Sequence, residues 1–155
     1  MAYIYPAPGN ANAEVDLTIK VSGDTTGLVL PAIQDITVNN ANDVFTWTVL
    51  DSASKQQIAT TATNSLAMNI VLDQDKFFGT SVAGEAAQTS GVFGLSKDKT
   101  KINFELYLGD TDSGGNGKTI SGSGYITGLA PTVSADAPVW VSPITITVDG
   151  DYTVA

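Results

Sequence analysis

The chain has 155 residues and a formal net charge of −9, and its seven basic side chains are all lysine. Without cysteine, histidine or arginine, it has no disulfide, no thiolate nucleophile, and neither the usual general base nor the commonest metal ligand. The acidic balance predicts repulsion of nucleic acid. No apolar run approaches the roughly 18 residues of a membrane span. The first ten residues lack the basic start and apolar core of a secretory leader. We therefore expect neither a transmembrane span nor a secretory signal.

Residues 1–13 are rich in alanine, proline, asparagine and tyrosine and have no hydrophobic period. This composition predicts an extended arm. Its apolar side chains belong to Tyr3, Ile4 and Tyr5. They either pack back on their own domain or dock on a neighbouring subunit, and the two nearby prolines favour docking because they oppose a regular fold-back.

Alternating apolar and polar residues predict strands through the first half of the chain. The predicted strands cover residues 14–21, 28–30, 33–38, 44–50, 58–61 and 66–72. Pro31 predicts a bulge or a sheet edge, residues 39–43 a turn, and residues 51–57 a loop. Trp47 shares a face with Phe45, so we expect Trp47 in the core.

One short helix is predicted at residues 73–79. Asp73 is a suitable N-cap and Gly79 can end the helix. The two phenylalanines between them, Phe77 and Phe78, would anchor it to a sheet. Residues 80–90 either extend this helix or form a loop.

The remaining sequence predicts a strand at residues 102–108, a mobile loop at residues 109–118, and two long strands within residues 119–150 joined by a turn that contains proline. The inward-facing positions change phase near Ser142 and Pro143, which predicts a bulge there. The total is about eight strands and one short helix. The predicted fold is mainly β, an antiparallel β-sandwich or open barrel formed by one domain of residues 14–150, with a tail at residues 151–155.

Candidate chemical sites are few. Asp110 and Asp112 begin a segment with oxygen ligands at alternate positions, as in a calcium loop, but Gly114 replaces the third ligand and no glutamate follows at the twelfth position. We therefore expect no metal, no cofactor and no catalysis. Trp140 faces away from its apolar neighbours and is expected to be exposed, where an aromatic ring contacts protein or sugar.

Three segments carry a family resemblance: GYITGLAP at residues 124–131, VSADAPV at 133–139 and ITITVDG at 144–150. Together with the short helix after a strand, they resemble the carboxy-terminal half of the major tail tube proteins of tailed bacteriophages. The resemblance implies a β-sandwich flanked by a helix, with six subunits in a ring around a channel. It also implies stacked rings that form the virion tail tube through which genome DNA leaves.

The same resemblance implies partners and surfaces. The chain would bind itself and other tail proteins, namely an initiator, a terminator and, in a contractile tail, a sheath, without contacting a membrane. Assembly would take place in the host cytoplasm, and DNA would slide through an acidic lumen without tight binding. The expected subunit or ring contacts are Tyr3, Ile4, Tyr5, Asp51, Lys55, Asp110, Asp112, Lys118 and Trp140. Asp16, on the polar face of the first strand, is expected to face the channel.

Two alternatives remain at this stage. A non-catalytic binding module, such as a carbohydrate-binding, decoration or adhesin domain, would also explain the sheets and Trp140. A hydrolase that uses only carboxylates is the weaker alternative. Self-assembly identifies the tube subunit, sugar binding identifies the module, and loss of activity on replacing one carboxylate identifies the hydrolase.

Overall fold

The computed structural model describes residues 15–30, 33–51, 53–109, 117–136 and 138–155. The strands are β1 Val15–Lys20, β2 Leu28–Leu30, β3 Ile33–Trp47, β4 Gln56–Val71, β5 Ile102–Leu108, β6 Lys118–Leu129, β7 Val141–Val148 and β8 Thr153–Val154. The helices are α1 Gln74–Phe78 and α2 Ala86–Lys97. Within these residues no helix is both long and apolar enough to cross a bilayer.

All eight strands belong to one antiparallel sheet in the order β2-β1-β5-β6-β7-β4-β3, with β8 also paired to β6. Strands β2 and β3 lie at the two ends of this order and are not paired with each other, so the sheet is open. The predicted fold class, a mainly β antiparallel architecture of about eight strands, is confirmed.

Strand alternation produces the core. On β1, Leu17 and Ile19 are completely buried opposite Leu106 and Phe104 of β5. Further along the strand order, alternate residues of β4 and β7 also point into the core. Leu66 and Ile146, for example, are paired and completely buried. Helices α1 and α2 cover this interior with Phe77, Ala87, Val92 and Leu95. The half-buried alternation in the sequence is therefore the pattern of a sheet with one apolar and one polar face.

Helix α1 forms as predicted. Asp73 is its N-cap, and its Oδ1 accepts hydrogen bonds from the backbone N–H groups of Asp75 at 3.0 Å and Lys76 at 3.1 Å. Gly79 ends the helix with a positive φ of 93°. The expectation of a single helix is wrong, because residues 86–97 form a second one, α2.

Two carboxylates fix the start of α2 against the β1–β2 turn. Asp24, in the turn, accepts hydrogen bonds from the N–H groups of Ala86 at 2.6 Å and Ala87 at 3.0 Å. In return, Glu85 accepts hydrogen bonds from the three N–H groups of residues 25–27, at 2.9 to 3.0 Å. Each segment thus supplies the acceptor that the other segment's free backbone donors need.

These contacts lower the pKa of both carboxyls. The N–H groups of Gly27 and Thr26 hold the pKa of Glu85 below its ordinary value of 4.5. Burial raises the pKa of Asp24, but its hydrogen bonds with backbone N–H groups, Val21 first, outweigh burial and hold it below 3.8.

Three further sequence expectations are wrong. Residues 39–43 are continuous strand rather than a turn, because they pair with β4, with a register shift between Asn42 and Val44. No bulge occurs at Ser142 and Pro143, since both pair in regular register with β4. The register shift lies instead on β6, between Ile126 and Gly128. The third error concerns Trp47, which is only half-buried and lies on a hairpin rather than in the core.

The last residues also differ from a simple tail. Thr153 and Val154 form β8 against Ser121 and Ile120. The Tyr152 ring packs edge-on against Phe104. The carboxy-terminal segment is therefore part of the sheet.

Candidate assembly surfaces

The hairpin formed by β3 and β4 extends well beyond the sheet. β4 pairs with β7 from Ser65 to Val71, so among the described residues the segment 56–64 pairs with β3 alone. At about 3.3 Å per residue, this projecting part is about 30 Å long. Residues 39–46 of β3 are all exposed, as are the described side chains of residues 56–63. An isolated two-stranded ribbon of this kind is marginally stable in water.

Apolar side chains nevertheless occupy the projecting hairpin. Phe45 and Ile58 face each other across the two strands and are 59% and 56% exposed. The Phe45 ring stacks on Trp47 at 5.9 Å. At the tip, Leu50 is fully exposed and Val49 is more than one-third exposed. Exposed apolar surface of this extent is typical of an interaction site.

The root of the hairpin is held by the carboxy-terminal segment. The Tyr152 hydroxyl lies 2.8 Å from the carbonyl oxygens of both Asn39 and Ser65. Asn64, which is buried, donates a hydrogen bond from Nδ2 to the Gly150 carbonyl at 2.9 Å. These contacts orient a hairpin that has no core of its own.

A second apolar surface lies at the opposite end of β4. It is a groove of about 670 Å³ between α1, the start of β7 and the β6–β7 connection. Its lining residues are Val71, Leu72, Asp73, Gln74, Phe77, Phe78, Phe93, Pro131, Pro138, Val139 and Trp140. Phe78, Phe93, Val139 and Trp140 are between 44% and 61% exposed.

Aromatic packing builds the wall of this groove. The Phe77 ring is buried and contacts Phe78 edge-on at 4.9 Å, and Phe93 of α2 lies about 6 Å from both rings. Opposite them, the Leu72 N–H donates a hydrogen bond to the Trp140 carbonyl at 2.9 Å. The groove is thus supported by hydrogen bonds and packed rings, which makes it a preformed site.

The outward face of β1, β5 and β6 is polar. Paired strand residues share a face, so Asp16 lies with Tyr107, and Thr18 lies with Glu105. Ser121 continues the second row on β6. Asp16 and Glu105 therefore lie on one continuous polar face, opposite the side chains of the core.

The sequence-predicted contact residues fall in different places. Asp51 and Lys55 are exposed at the hairpin tip, and Lys118 is exposed at the start of β6. Trp140 is 53% exposed, as predicted, and lines the groove. The other predicted contacts, Tyr3, Ile4, Tyr5, Asp110 and Asp112, lie outside the described residues, as does the calcium-like segment.

Sequence reasoning missed most of the groove and the hairpin. Phe93 lies in α2, which was not predicted, and Phe45 was expected to point inward with Trp47. The sequence gives little indication of a helix around Phe93, because the glycines at positions 91 and 94 interrupt the helical spacing of apolar residues. Among the described residues, no group of three acidic side chains is arranged to hold a metal ion.

Comparisons with known proteins give a match in structure but not in sequence. No family model and no curated protein matches the chain. The solved structures that resemble it include a chain from the tail of an empty gene transfer agent particle refined with C6 symmetry, with a TM-score of 0.61 and 12% identity over 90% of this chain and 95% of that one.

Two further structures are similar. One is the SPP1 tail tube, with a TM-score of 0.60 and 12% identity over 90% of this chain and 76% of that one. The other is the sheath/tube terminator structure of an extracellular contractile injection system, PVC, with a TM-score of 0.56 and 14% identity over 99% of both chains. The chain therefore has the fold of tail-tube components, as the sequence resemblance predicted.

Proposed function

We propose that this chain is a structural subunit of a phage-like tail tube and that copies of it assemble into stacked rings. The observation that carries the proposal is the projecting β3–β4 hairpin, with its exposed Phe45 and Ile58, on a sheet of tail-tube fold. Within the described residues, the same chain leaves more than half of each of these side chains exposed. A neighbouring copy would bury them.

The open sheet supports the same proposal. A free edge strand presents unpaired backbone groups and is a liability in a monomer. Strands β2 and β3 are both edges here. In a cyclic assembly each edge meets a neighbour, so ring closure removes the liability. We propose six subunits per ring, in line with the sixfold symmetry of the gene transfer agent tail.

The polar face that carries Asp16 and Glu105 is the proposed lining of the channel. A lumen lined with carboxylates repels phosphate, so DNA can pass without binding tightly. The net charge of −9 acts in the same direction.

The proposed contacts between subunits or rings include the residues predicted from the sequence: Tyr3, Ile4, Tyr5, Asp51, Lys55, Asp110, Asp112, Lys118 and Trp140. The proposed partners are other copies of the chain and the initiating, terminating and sheath proteins of a tail. The proposed location is the virion after assembly in the host cytoplasm. This role requires no catalysis.

Negative-stain electron microscopy of the purified protein, combined with light-scattering mass, tests the proposal. We expect rings or tubes with a central hole and a ring mass of six chains. Phe45→Asp should abolish them, because it places a charge on the proposed contact surface. Thr46→Asp is the matched control, since Thr46 is an exposed neighbour on the opposite face of the same strand, and it should still assemble.

Circular dichroism should show that both variants fold, since neither side chain belongs to the core. A protein that stays monomeric at every concentration and salt would contradict the proposal. The binding-module alternative would then be tested by glycan binding of the wild type and of Trp140→Ala.

A further inference from the structure

The two apolar surfaces lie at opposite ends of one strand. The hairpin tip, described at residues 48–51 and 53–55, precedes Gln56, the first residue of β4, and the groove is lined by the last residue of β4, Val71. The 15 steps along β4 correspond to about 50 Å of extended chain. Leu50 remains fully exposed, so a chain does not fill its own groove with its own tip.

The tip and the groove match in chemistry. The tip ends in Val49 and Leu50, and the groove wall consists mainly of phenylalanine, proline, valine and tryptophan side chains. A volume of about 670 Å³ lies within the range of small-molecule binding pockets. The aromatic walls are held by the packing between α1 and α2, so binding there would require little reordering.

The tip carries both signs of charge, Asp51 and Lys55, and Lys55 provides the positive member of one possible ion pair. Lys55 at the tip is the only basic residue between residues 33 and 71. Asp73, which caps α1, lines the groove. An apolar tip seated in the groove would bring a lysine towards this acidic rim.

We propose that the tip of the β3–β4 hairpin of one copy inserts into the α1–β7 groove of a second copy. The inference rests on the proposed self-assembly and specifies one of its contacts. Because the two surfaces differ, the contact is heterologous: each copy donates a tip and receives one. Such a contact joins copies head to tail and does not stop at a dimer.

Complementary variants test this polarity. Leu50→Asp places a charge on the apolar tip and leaves the groove intact. Phe78→Asp places a charge in the apolar groove and leaves the tip intact. Neither variant alone should form the contact, and each should weaken self-association at least about tenfold, since burying one such side chain is worth more than 1.4 kcal/mol. A mixture of the two should give one-to-one complexes in native mass spectrometry. Thr46→Asp and Ser81→Asp, exposed and outside both the tip and the groove lining, are the matched charge controls and should assemble normally.

Cysteine cross-linking gives a second readout, because the natural chain has no cysteine. Leu50→Cys and Val139→Cys proteins, mixed and oxidised, should form a tip-to-groove disulfide in excess over either homodimer. A mixture of Leu50→Cys with Asp98→Cys, which places a thiol at the far end of α2, should not.

The possible outcomes separate the two proposals. Rings that persist in both Leu50→Asp and Phe78→Asp, with no selective tip-to-groove cross-link, would overturn this inference and leave the tail-tube proposal standing. A wild-type chain that does not assemble, together with Leu50→Cys and Val139→Cys proteins that do not cross-link, would overturn both.

Discussion

Helices α1 and α2 pack closely where Gly91 of α2 meets Gly79 at the end of α1. Gly91→Ala tests how much this close contact contributes to stability. Gly91 interrupts the helical backbone of α2 with φ 64° and ψ 175°, a conformation that residues with a Cβ rarely adopt. A Cβ at this position would lie 2.4 Å from the Gly79 nitrogen and 2.6 Å from the Phe77 carbonyl oxygen. Both obstacles are backbone atoms, so a side-chain rotation cannot relieve the clash.

Two costs add in this variant. Forcing alanine into this backbone conformation costs about 1–3 kcal/mol, and overpacking of the helix crossing costs about 1–3 kcal/mol more. The expected loss in the free energy of unfolding is therefore about 2–6 kcal/mol, a large part of the stability of an ordinary domain. The packing of the groove wall should also be disrupted, because Phe77 and Phe93 lie on the two helices that meet at this contact.

Urea unfolding followed by circular dichroism measures this loss. Gly150→Ala is the matched control, since Gly150 also has a positive φ of 96° but its Cβ would meet nothing within 4 Å. The free energy of unfolding of Gly150→Ala should fall only by the cost of the backbone conformation, about 1–3 kcal/mol. Equal losses in the two variants would refute the argument from close helix contact.

Three other perturbations follow from the contacts. The Asp24 and Glu85 pKa values are lowered by folding, so the stability they contribute is complete above their ordinary values of 3.8 and 4.5 and is lost as the pH falls through the folded values. Glu85→Gln should therefore destabilise the chain in urea unfolding at pH 7, and the difference from wild type should shrink at pH 3. The double variant Asp16→Lys, Glu105→Lys should make assembled tubes retain DNA in a sedimentation assay at low salt, whereas wild-type tubes release it; equal release would contradict the assignment of the lumen face. Tyr152→Phe should cost about 1 kcal/mol or more, because the hairpin root loses its hydroxyl contacts, and an unchanged urea midpoint would show that the hydroxyl does not hold the hairpin.

The sequence by itself determined the elements whose partners are close along the chain or whose faces differ in polarity. Strands β1, β5 and β7 were predicted because each has one apolar face, and α1 was predicted because Asp73 caps a donor group two residues away. The motif resemblance also predicted the tail-tube fold. These signals are local, so a sequence window contains all the information they need.

The surfaces proposed for assembly were decided only by the tertiary structure. The asparagines of residues 39–43 have the composition of a turn, but pairing with β4 makes them strand because backbone hydrogen bonds do not depend on side-chain polarity. Alternation at residues 44–50 predicted a strand but suggested that Phe45 points into the core, because the pattern does not show whether the same chain covers the apolar face. Helix α2 is weakly periodic, and the carboxylate that caps it, Asp24, is 62 residues away from the N–H group of Ala86. The groove joins three distant segments of the chain, so its apolar wall exists only once the sheet and both helices have packed.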